Sequence, residues 1–338
     1  MISVFQNCQR NRKENQVVDL LKKRFAGRST SIIKSIGDDA AVIRQQGARE
    51  NWVVTTDMLL EDVDFQKGWL TPSQLGHKAL AANLSDLAAM GARPRFCTVS
   101  LGIPATITDK WIVQFYKGFS KLAEAHKTLL IGGDLSRSTN GIQVTVTAIG
   151  ETWHRRAIYR SGGNSGDVLY VTGTLGKSAA GLELLKQGNT KGTTIWEKEA
   201  LKAHRIPTPR CDVGLWLLQN HYSSCMMDIS DGISTDLPRL CAGSRVGAEI
   251  YAGALPIFAA SKSWNMDPLN LALTGGEDFE LLFAVSGKLA AKFAKAYPKK
   301  FPRASRIGIL TASKRIILRE ARGKFARPLA DGGFDHFN

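Results

Sequence analysis

The sequence predicts a two-domain α+β protein. The chain has 338 residues, which exceeds the usual size of a single hydrophobic core, so two domains are expected. Up to Glu151 the apolar pattern predicts strand, strand, helix, strand, helix, strand, strand, an order typical of an α+β unit. A new unit begins at "GDVLYVTGTLGKSAAGLELLKQG", which predicts a strand, a glycine-rich turn and a helix. We therefore expect domains at residues 1–150 and 151–338.

The elements of the N-terminal unit follow from the spacing of its apolar residues. "NQVVDLLKKRFAG" predicts a short amphipathic helix with a C-cap at Gly27. "AAVIRQ", "NWVVTTDMLL" and "RFCTVSLGIP" are rich in β-branched residues and predict strands. "SQLGHKALAANLSDLAAMGA" predicts a helix ending at Gly91, so Asp86 is expected on a packed helix. "TDKWIVQFYKGFSKLAEAHK" predicts a further helix, and "TLLIGGD" and "IQVTVTAIGE" predict strands.

The C-terminal unit continues with a mixture of helix and strand patterns. "KGTTIWEKEALKAHRIPTPR" predicts a loop and a polar helix. Further elements are expected in "SCMMDISDGISTDLPRLCAGS", "GAEIYAGALP" and "NLALTGGEDFELLFAVS", and a closing strand pair in "SRIGILTA" and "KRIILRE". The chain shows no repeat of fixed period and no low-complexity tract.

Composition narrows the class of protein. The chain is 43% hydrophobic and 22% charged, which is ordinary for a globular protein. No apolar run approaches the roughly 18 residues that span a bilayer, and the N-terminus lacks the apolar segment of a signal peptide. We expect a cytoplasmic protein without membrane association. Five scattered cysteines without a CxxC pair predict reduced, packed thiols rather than disulfides or a zinc site.

The basic charge is concentrated toward the two ends of the chain. A net charge of +15 and a pI near 9.7 make nucleic acid a partner to consider. No nucleic-acid-binding signature with interleaved aromatic residues accompanies the basic ends. A solvated basic surface is therefore the favoured interpretation, and nucleic-acid binding is not expected.

Familiar catalytic motifs are missing from the sequence. "VTGTLGKS" looks like a phosphate-binding P-loop, but the first glycine of that motif is replaced by Val171. Gly173 and Gly176 are expected to serve the turn between a strand and a helix. The sequence contains no HExxH metalloprotease motif and no GxSxG nucleophile elbow.

Aspartates recur at the edges of apolar elements. A single Asp beside Gly is usually a turn former or a helix cap. Several aspartates in the same setting are harder to explain as turn formers or caps. A buried carboxylate is energetically unfavourable unless a positive charge is held beside it. The residues are Asp39, Asp57, Asp86, Asp134, Asp228 and Asp231.

Divalent cations with oxygen ligands would satisfy these carboxylates. Thr55, Thr56 and Ser230 add neutral oxygens beside them. Magnesium usually shares its ligand shell with substrate phosphates. An aspartate-rich, glycine-lined site without a P-loop therefore predicts phosphoryl transfer assisted by metal ions.

Nine motifs in register closely resemble the bacterial thiamine-monophosphate kinase family. They are "IGDDAAV", "TTDMLLEDVDF", "KALAANLSDLAAMGA", "LIGGD", "YRSGGNSGD", "VTGTLG", "DISDGISTDL", "GGEDFELLF" and "GFDHF". The family belongs to an ATP-binding superfamily with aminoimidazole ribonucleotide synthetase, selenophosphate synthetase and a hydrogenase-maturation enzyme. The resemblance implies an α+β N-terminal domain that dimerises through its sheet. It also implies an α/β C-terminal domain, with the active site in the cleft between the two.

The resemblance also implies a role for each matching residue. The implied magnesium ligands are Asp39, Thr55, Thr56, Asp57, Asp86, Asp134, Asp228 and Asp231. The implied ATP contacts are Tyr116, Gly133, Asp134, Arg160 and Ser230. Glu277 and Phe334 match positions that hold thiamine, and an aromatic ring suits a cationic thiazolium. The family usually has His where this chain has Asp64, at a position associated with substrate binding.

The reaction implied is the conversion of ATP and thiamine monophosphate to ADP and thiamine diphosphate. A monophosphate with a second pKa of about 6 is largely deprotonated at pH 7, so no general base is required. Arg160 and Lys78 are expected to offset repulsion between the two polyanions.

Two alternatives stay open at the level of sequence. A superfamily relative acting on another acceptor is disfavoured, because the chain ends in "DHFN" without a terminal Cys and has only Cys8 as an early thiol. A non-catalytic basic protein that binds nucleotides or nucleic acid is the second alternative, and Asp64 is the only hint of it.

Overall fold

The computed structural model describes residues 14–25, 29–260, 264–320, 325–330 and 332–334. Gly27, the predicted C-cap of the first helix, and Cys8 lie outside these ranges. Within them, no helix combines the length and hydropathy needed to cross a bilayer. Cys97, Cys211, Cys225 and Cys241 are free and buried. This confirms the prediction of packed thiols for the four cysteines that are described.

The N-terminal half contains a six-stranded sheet in the order β1-β2-β3-β6-β4-β5. Neighbouring strands are antiparallel except β4 and β5, which are parallel. Because β5 is the last strand in this order, it is an edge strand. The strands are β1 (Ile32–Lys34), β2 (Ala41–Ile43), β3 (Trp52–Leu60), β4 (Arg93–Ile103), β5 (Leu129–Arg137) and β6 (Gln143–Glu151).

Three helices accompany this sheet: α1 (Glu14–Phe25), α2 (Pro72–Ala89) and α3 (Asp109–Ala125). Thr71 begins α2 with a reciprocal capping box to Gln74, which satisfies backbone groups that a helix end otherwise leaves open. α2 packs on α3 and on one face of the sheet. The predicted elements occur in the predicted order, and Asp86 lies on a packed helix as expected, but the short strand β1 was not predicted.

The C-terminal half contains a seven-stranded sheet in the order β13-β12-β9-β11-β7-β10-β8. All neighbours are antiparallel except β9 and β12. The strands are β7 (Val168–Thr172), β8 (Ser223–Ile229), β9 (Gly247–Tyr251), β10 (Glu280–Val285), β11 (Ala304–Thr311), β12 (Ile316–Arg319) and β13 (Ala326–Pro328). The helices are α4 (Lys177–Lys186), α5 (Ile195–Arg205), α6 (Cys211–Gln219), α7 (Ile233–Ser244), α8 (Pro268–Thr274) and α9 (Ala290–Ala296).

One hydrophobic cluster extends through both halves of the chain. β7 and β10 are buried on both faces, and their side chains alternate between two clusters. One cluster lies against α7, and the other continues into the N-terminal sheet through α2. α2 accordingly also packs on α6 and β8. It is the element that joins the two halves, which explains why it is buried on most of its surface.

Glycine allows α2 and α3 to cross at close range. A Cβ at Gly118 would lie 1.7 Å from the backbone oxygen of Ser73, and one at Gly76 would lie 2.1 Å from that of Phe115. Backbone atoms cannot yield as a flexible side chain can. The contact between the helices therefore requires both glycines.

Gly118→Ala should destabilise the protein although alanine is the better helix former. Helix propensity alone favours Ala by about 1 kcal/mol, whereas overpacking a close contact costs about 1–3 kcal/mol or more. We expect the clash to prevail and the melting temperature to fall. Gly132→Ala is the matched control, because no atom lies within 4 Å of its added Cβ. Equal melting temperatures for the two variants would contradict this prediction.

Candidate active site

Three carboxylates from distant parts of the sequence meet between the two halves. Asp39 lies in the loop before β2, Asp86 on α2, and Asp228 near the end of β8. One potential ligand atom from each lies within 4.8 Å of the other two. We call these three residues the aspartate cluster. Its formation depends on α2, which carries Asp86 and packs on both β3 and β8.

Neighbouring residues fix the orientation of Asp86. The Thr55 hydroxyl on β3 donates a hydrogen bond to Asp86 Oδ2. Asp57 lies two residues further along β3, hence on the same face of the sheet, and its carboxyl lies close enough to Asp86 for each to affect the pKa of the other. The structure therefore brings the predicted residues Thr55 and Asp57 beside the aspartate cluster.

The other two carboxylates are held by different partners. Ser85, adjacent to Asp86 on α2, donates from its hydroxyl to Asp228 Oδ2 at 2.6 Å. Arg160, in the segment between β6 and β7, donates to Asp39 Oδ1 from two guanidinium nitrogens at 2.7 and 3.2 Å. Asp39 Oδ2 is buried and has no hydrogen-bond partner among the described residues. An oxygen held in this way is a ready acceptor for a cation.

Burial and mutual repulsion disfavour the charged form of the cluster. Burial, followed by the charges of Asp57 and Asp228, raises the pKa of Asp86 well above its usual range. Burial raises the pKa of Asp228 to about 7 and that of Asp57 to about 6. Burial also raises the pKa of Asp39, against the opposing effect of Arg160. The protein alone therefore leaves a deficit of positive charge at this point.

The donor set fits a hard divalent cation. All the candidate ligands are carboxylate or hydroxyl oxygens, the ligands that magnesium prefers. Among the described residues, no lysine or arginine lies within ion-pair distance of Asp57, Asp86 or Asp228. A magnesium ion would supply the missing charge and would use the unpartnered oxygen of Asp39.

The loop after β8 is built around one buried side chain, Asp236. Its Oδ2 accepts hydrogen bonds from the backbone nitrogens of Ser230, Asp231 and Gly232 at 3.1, 3.1 and 3.0 Å. Gly232 adopts a φ of +101°, which favours glycine. Arg239 contacts the carboxylates of both Asp231 and Asp236. The predicted residues Ser230 and Asp231 are therefore presented by a turn that an internal carboxylate closes.

Two of the predicted ligands lie on the opposite face of the N-terminal sheet. Asp57 is linked across β6 and β4 to Gly133 on β5, and directly paired residues share a face. Asp134 follows Gly133, as Thr56 precedes Asp57, so both side chains point to the other face. Three strand spacings of about 4.8 Å put Gly133 about 14 Å from Asp57. One chain does not bring Asp134 to the aspartate cluster.

Glu277 lies in the loop before β10 and faces a cavity of about 330 Å³. This volume is within the usual range for small-molecule sites. Lys78 of α2 donates to Glu277 Oε2 at 2.8 Å. Lys78 is only 1% exposed, so the structure shows it beside a carboxylate at the inner end of the cavity. Half of the remaining lining residues are charged: Lys177, Glu199, Lys202, Arg210, Asp278 and Glu280.

The N-terminus of α4 is not a phosphate cradle. The carboxylate of Asp278 accepts hydrogen bonds from the backbone nitrogens of Gly176 at 2.6 Å and Ser178 at 3.0 Å. These are the donors that a P-loop would offer to phosphate. The chain's own carboxylate uses them, in agreement with the prediction that "VTGTLGKS" forms a turn.

The remaining predicted residues lie around the periphery. Asp64 Oδ2 accepts a hydrogen bond from the backbone nitrogen of Leu60 at 2.7 Å. Phe334 is 46% exposed and its backbone nitrogen bonds to the oxygen of Asp231. Tyr116 on α3 packs against Phe115. The structure brings Phe334 near the Asp231 loop, whereas Tyr116 belongs to the aromatic packing of α3.

Sequence reasoning overlooked the residues that support this site. Ser85, His204, Asp236 and Arg239 make hydrogen bonds or ion pairs to predicted residues. The spacing of Asp236 and Arg239, one helical turn apart after "DISDG", was a usable signal. Nothing in the local sequence points from Ser85 to Asp228, because that contact depends on how α2 meets β8.

Comparisons with known proteins match both halves of the chain. The AIR synthase related protein N-terminal domain family matches residues 37–152. The AIR synthase related protein C-terminal domain family matches residues 164–320.

Curated relatives match over most of their length. Thiamine-monophosphate kinase from Buchnera aphidicola subsp. Schizaphis graminum is 34% identical over 330 residues, covering 96% of this chain and 98% of the relative. The protein of the same name from Bacillus subtilis is 38% identical over 261 residues, covering 77% and 79%. That from Escherichia coli is 36% identical over 253 residues, covering 74% and 75%.

Solved structures agree with the sequence relatives. A structure described as AaThiL complexed with AMPPCP and TMP has a TM-score of 0.81 at 30% identity, covering 96% of this chain and 97% of that one. Thiamine-monophosphate kinase from Stenotrophomonas maltophilia has a TM-score of 0.74 at 35% identity, covering 92% and 96%. The HypE–HypF complex matches with a TM-score of 0.72 at 19% identity, covering 93% and 99%, which shows a shared fold alone.

This chain is a protein of the AIR synthase-related class. It has the two sheets, the aspartate cluster between them and a family match in each half. The similarity to the curated relatives extends over nearly the whole chain. Within that class, the chain belongs to the thiamine-monophosphate kinase family.

The raised pKa values predict a specific dependence of stability on pH. Asp228 has a pKa of about 7 in the folded protein, against about 3.9 when unfolded. The folded state therefore binds the proton more tightly, and the free energy of unfolding falls as pH rises from about 4 to 7. Magnesium competes with these protons. We expect magnesium to raise the melting temperature more at pH 8 than at pH 5.

Asp228→Asn tests the origin of this effect. The amide cannot ionise, so the melting temperature without magnesium should depend less on pH, and the magnesium-induced increase at pH 8 should shrink. Asp109→Asn, an exposed position in the first turn of α3, is the matched control and should behave like wild type. A magnesium effect of equal size at both pH values would contradict the prediction.

Proposed function

We propose that this protein is a thiamine-monophosphate kinase that transfers the γ-phosphoryl group of ATP to thiamine monophosphate. The single observation that supports it most is the aspartate cluster, which concentrates unneutralised oxygen ligands in a chain of this family. Such a donor set suits a reaction in which two polyanions must be brought together. A solved relative described as complexed with AMPPCP and TMP supports the same pair of substrates.

Magnesium is the proposed cofactor. Asp39, Asp57, Asp86, Asp228 and Asp231 would hold it, with Thr55 adding a hydroxyl oxygen. When bound, magnesium neutralises the charge of the phosphates and orients them. The set proposed from the sequence also contains Thr56 and Asp134, on the opposite face of the sheet.

The chain's own residues contribute positioning and charge rather than a proton acceptor. An oxygen of the acceptor monophosphate attacks the γ-phosphorus, a new P–O bond forms, and the bond to the β-phosphate oxygen breaks to release ADP. The attacking phosphate is already largely ionised near pH 7, because its second pKa is about 6.

The proposed ATP contacts include both a cation and backbone groups. Arg160 is held in place by Asp39, which is itself a proposed metal ligand. Its guanidinium would offset the negative charge of the phosphates. The other proposed contacts are Tyr116, Gly133, Asp134 and Ser230.

The proposed acceptor site uses an acid and an aromatic ring. Glu277 and Phe334 lie on the two loops that meet at Ser230 and Asp231. A carboxylate and a ring face both attract the cationic thiazolium. Asp64 is included in the proposed acceptor site because it occupies a position that the family associates with substrate binding. The family usually has His there, so this chain has an anion in place of a side chain that can carry a positive charge.

The kinase assay is the direct test of the proposal. We expect purified protein with ATP, magnesium and thiamine monophosphate to form thiamine diphosphate, detected by chromatography, and EDTA to abolish product formation. Asp57→Ala should abolish turnover, because it removes a proposed metal ligand, and Asp134→Ala should weaken ATP binding, because it removes a proposed ATP contact on the other face of the sheet. Asp109→Ala removes an exposed carboxylate from α3 and should leave turnover unchanged.

Two results would contradict this proposal. Wild-type protein that binds ATP but forms no thiamine diphosphate would indicate another acceptor. Full activity in Asp57→Ala would exclude the metal assignment, provided that its melting temperature shows folded protein.

We also propose a homodimer formed through the N-terminal sheet. The edge strand β5 exposes a row of apolar side chains, including Leu129 at 62%, Ile131 at 57% and Leu135 at 60%. An exposed apolar edge strand favours pairing with another chain. Gly133 and Asp134 lie on the same strand. Dimerisation would therefore cover a segment that also carries proposed ATP contacts.

Charge on β5 should prevent this association. Ile131→Asp would place a carboxylate within the proposed apolar interface, which is costly to bury. We expect sedimentation to show a dimer for wild type and a monomer for Ile131→Asp. Val113→Asp on α3 is the control, because Val113 is equally exposed but lies outside β5. A monomeric wild-type protein would contradict the proposal.

The domain boundary and the location of the protein complete the proposal. We propose domains at residues 1–150 and 151–338, which the family matches to residues 37–152 and 164–320 support. We propose a cytoplasmic location because the reaction consumes ATP.

A further inference from the structure

A second group of polar side chains is buried away from the aspartate cluster. Three helices contribute one residue each: Lys78 from α2, Ser178 from α4 and His204 from α5. Each is only 1% exposed. Lys78 and His204 contact Glu277, whose side chain is 28% exposed, and Ser178 contacts His204. We call these four residues the Glu277 network.

The contacts of the network define its protonation. Lys78 Nζ lies 2.8 Å from both carboxylate oxygens of Glu277 and 3.4 Å from His204 Nε2. A lysine ammonium can only donate hydrogen bonds, so His204 Nε2 must be the acceptor. The ring proton is then on Nδ1, which faces Ser178 Oγ at 3.1 Å and Glu277 Oε2 at 3.3 Å. Burial, with the charge of Lys78, lowers the pKa of His204 well below its usual value and keeps the ring neutral.

The segment that carries Glu277 is held on every side. The backbone nitrogen of Glu277 donates to the oxygen of Ser230 at 2.7 Å. The next residue, Asp278, is bound by the N-terminus of α4. Glu277 also has a φ of +62°, a left-handed conformation that non-glycine residues adopt only where the surroundings impose it. The backbone and the carboxylate are both fixed.

Stability alone does not explain a buried lysine in this position. Replacing a buried ion pair by apolar side chains of similar volume is often neutral or stabilising. Lys78 occupies a fully buried position on the helix that joins the two halves, yet it is charged. Its partner Glu277 is the one member of the network with an exposed surface, and that surface faces the cavity.

We propose that Lys78, supported by His204, is a positioning residue that orients the Glu277 carboxylate toward the cationic thiazolium of the acceptor. The inference rests on the proposed function, in which Glu277 contacts the thiamine part of the substrate. Lys78 acts through Glu277 and touches no phosphate. Its loss should therefore weaken binding of the acceptor and leave ATP binding and the chemical step intact.

Lys78→Met tests this inference, because methionine keeps the volume and removes the charge. We expect the KM for thiamine monophosphate to rise roughly ten- to hundredfold, the effect of losing a hydrogen bond to a charged group. The kcat and the KM for ATP should change less than about twofold. Lys186→Met is the matched control, since it removes an exposed lysine that pairs with Glu183 at 2.8 Å. Its kinetic constants should equal those of wild type.

A double-mutant cycle shows whether Lys78 acts through Glu277. Glu277→Gln should raise the KM for thiamine monophosphate, and adding Lys78→Met to that variant should raise it no further. If Lys78→Met alone does not fold, Glu277→Gln and the double variant still provide the comparison. A further rise of KM in the double variant would overturn the inference.

Other outcomes separate this inference from the proposed function. A fall in kcat or a higher KM for ATP in Lys78→Met would indicate that the lysine acts on phosphate, and would overturn the inference alone. Active wild-type protein with an unaltered Lys78→Met variant would do the same. Wild-type protein without any thiamine-monophosphate kinase activity would overturn the proposed function and the inference with it.

Discussion

Repulsion between carboxylates held together out of water is the constraint on which this structure depends. Asp39, Asp86 and Asp228 lie within 4.8 Å of one another, an arrangement that isolated residues would not adopt. The fold holds the three carboxylates together because each belongs to a separately packed segment. Hydrogen bonds from Thr55, Ser85 and Arg160 also offset part of the unfavourable energy of burying the carboxylates. A bound cation would offset the remaining unfavourable energy. The fold thus concentrates at one site carboxylates whose negative charge a bound metal ion would neutralise.

Helix α2 positions the aspartate cluster relative to the Glu277 network. Its last turns carry Ser85 and Asp86 to the aspartate cluster, and its first turns carry Lys78 to Glu277. Eight residues of helix separate Lys78 from Asp86, a rise of about 12 Å. One rigid element therefore sets the distance between the proposed metal site and the proposed acceptor site. Because both faces of α2 are packed, neither group can shift without moving the core.

The sequence predicted most of the elements and the residue types of the site, and the limits of that prediction have physical causes. The aspartate motifs were recognisable because each sets a carboxylate beside an apolar run, and α2 because its leucines follow a helical period. The expected position at the edges of elements is wrong for Asp57, Asp86 and Asp134, which lie within β3, α2 and β5. The short α6 and α9 were not predicted, since a helix of two turns gives little periodicity. The alternation of side chains along β3 indicates that Thr56 points to the face opposite to Thr55 and Asp57. The position of Asp134 relative to them depends on strand order and register, which the sequence does not state.

The core that passes through α2 has a consequence for how the protein can be divided. The family matches end and resume between residues 152 and 164, yet the packing does not divide there. A polypeptide that stopped after β6 would expose the surface of α2 that now contacts α6 and β8, and would tend to aggregate. A fragment that began after β6 would expose the face of β10 that now packs toward α2. Because this packing crosses the boundary between the two matched regions, we expect the two halves to unfold together.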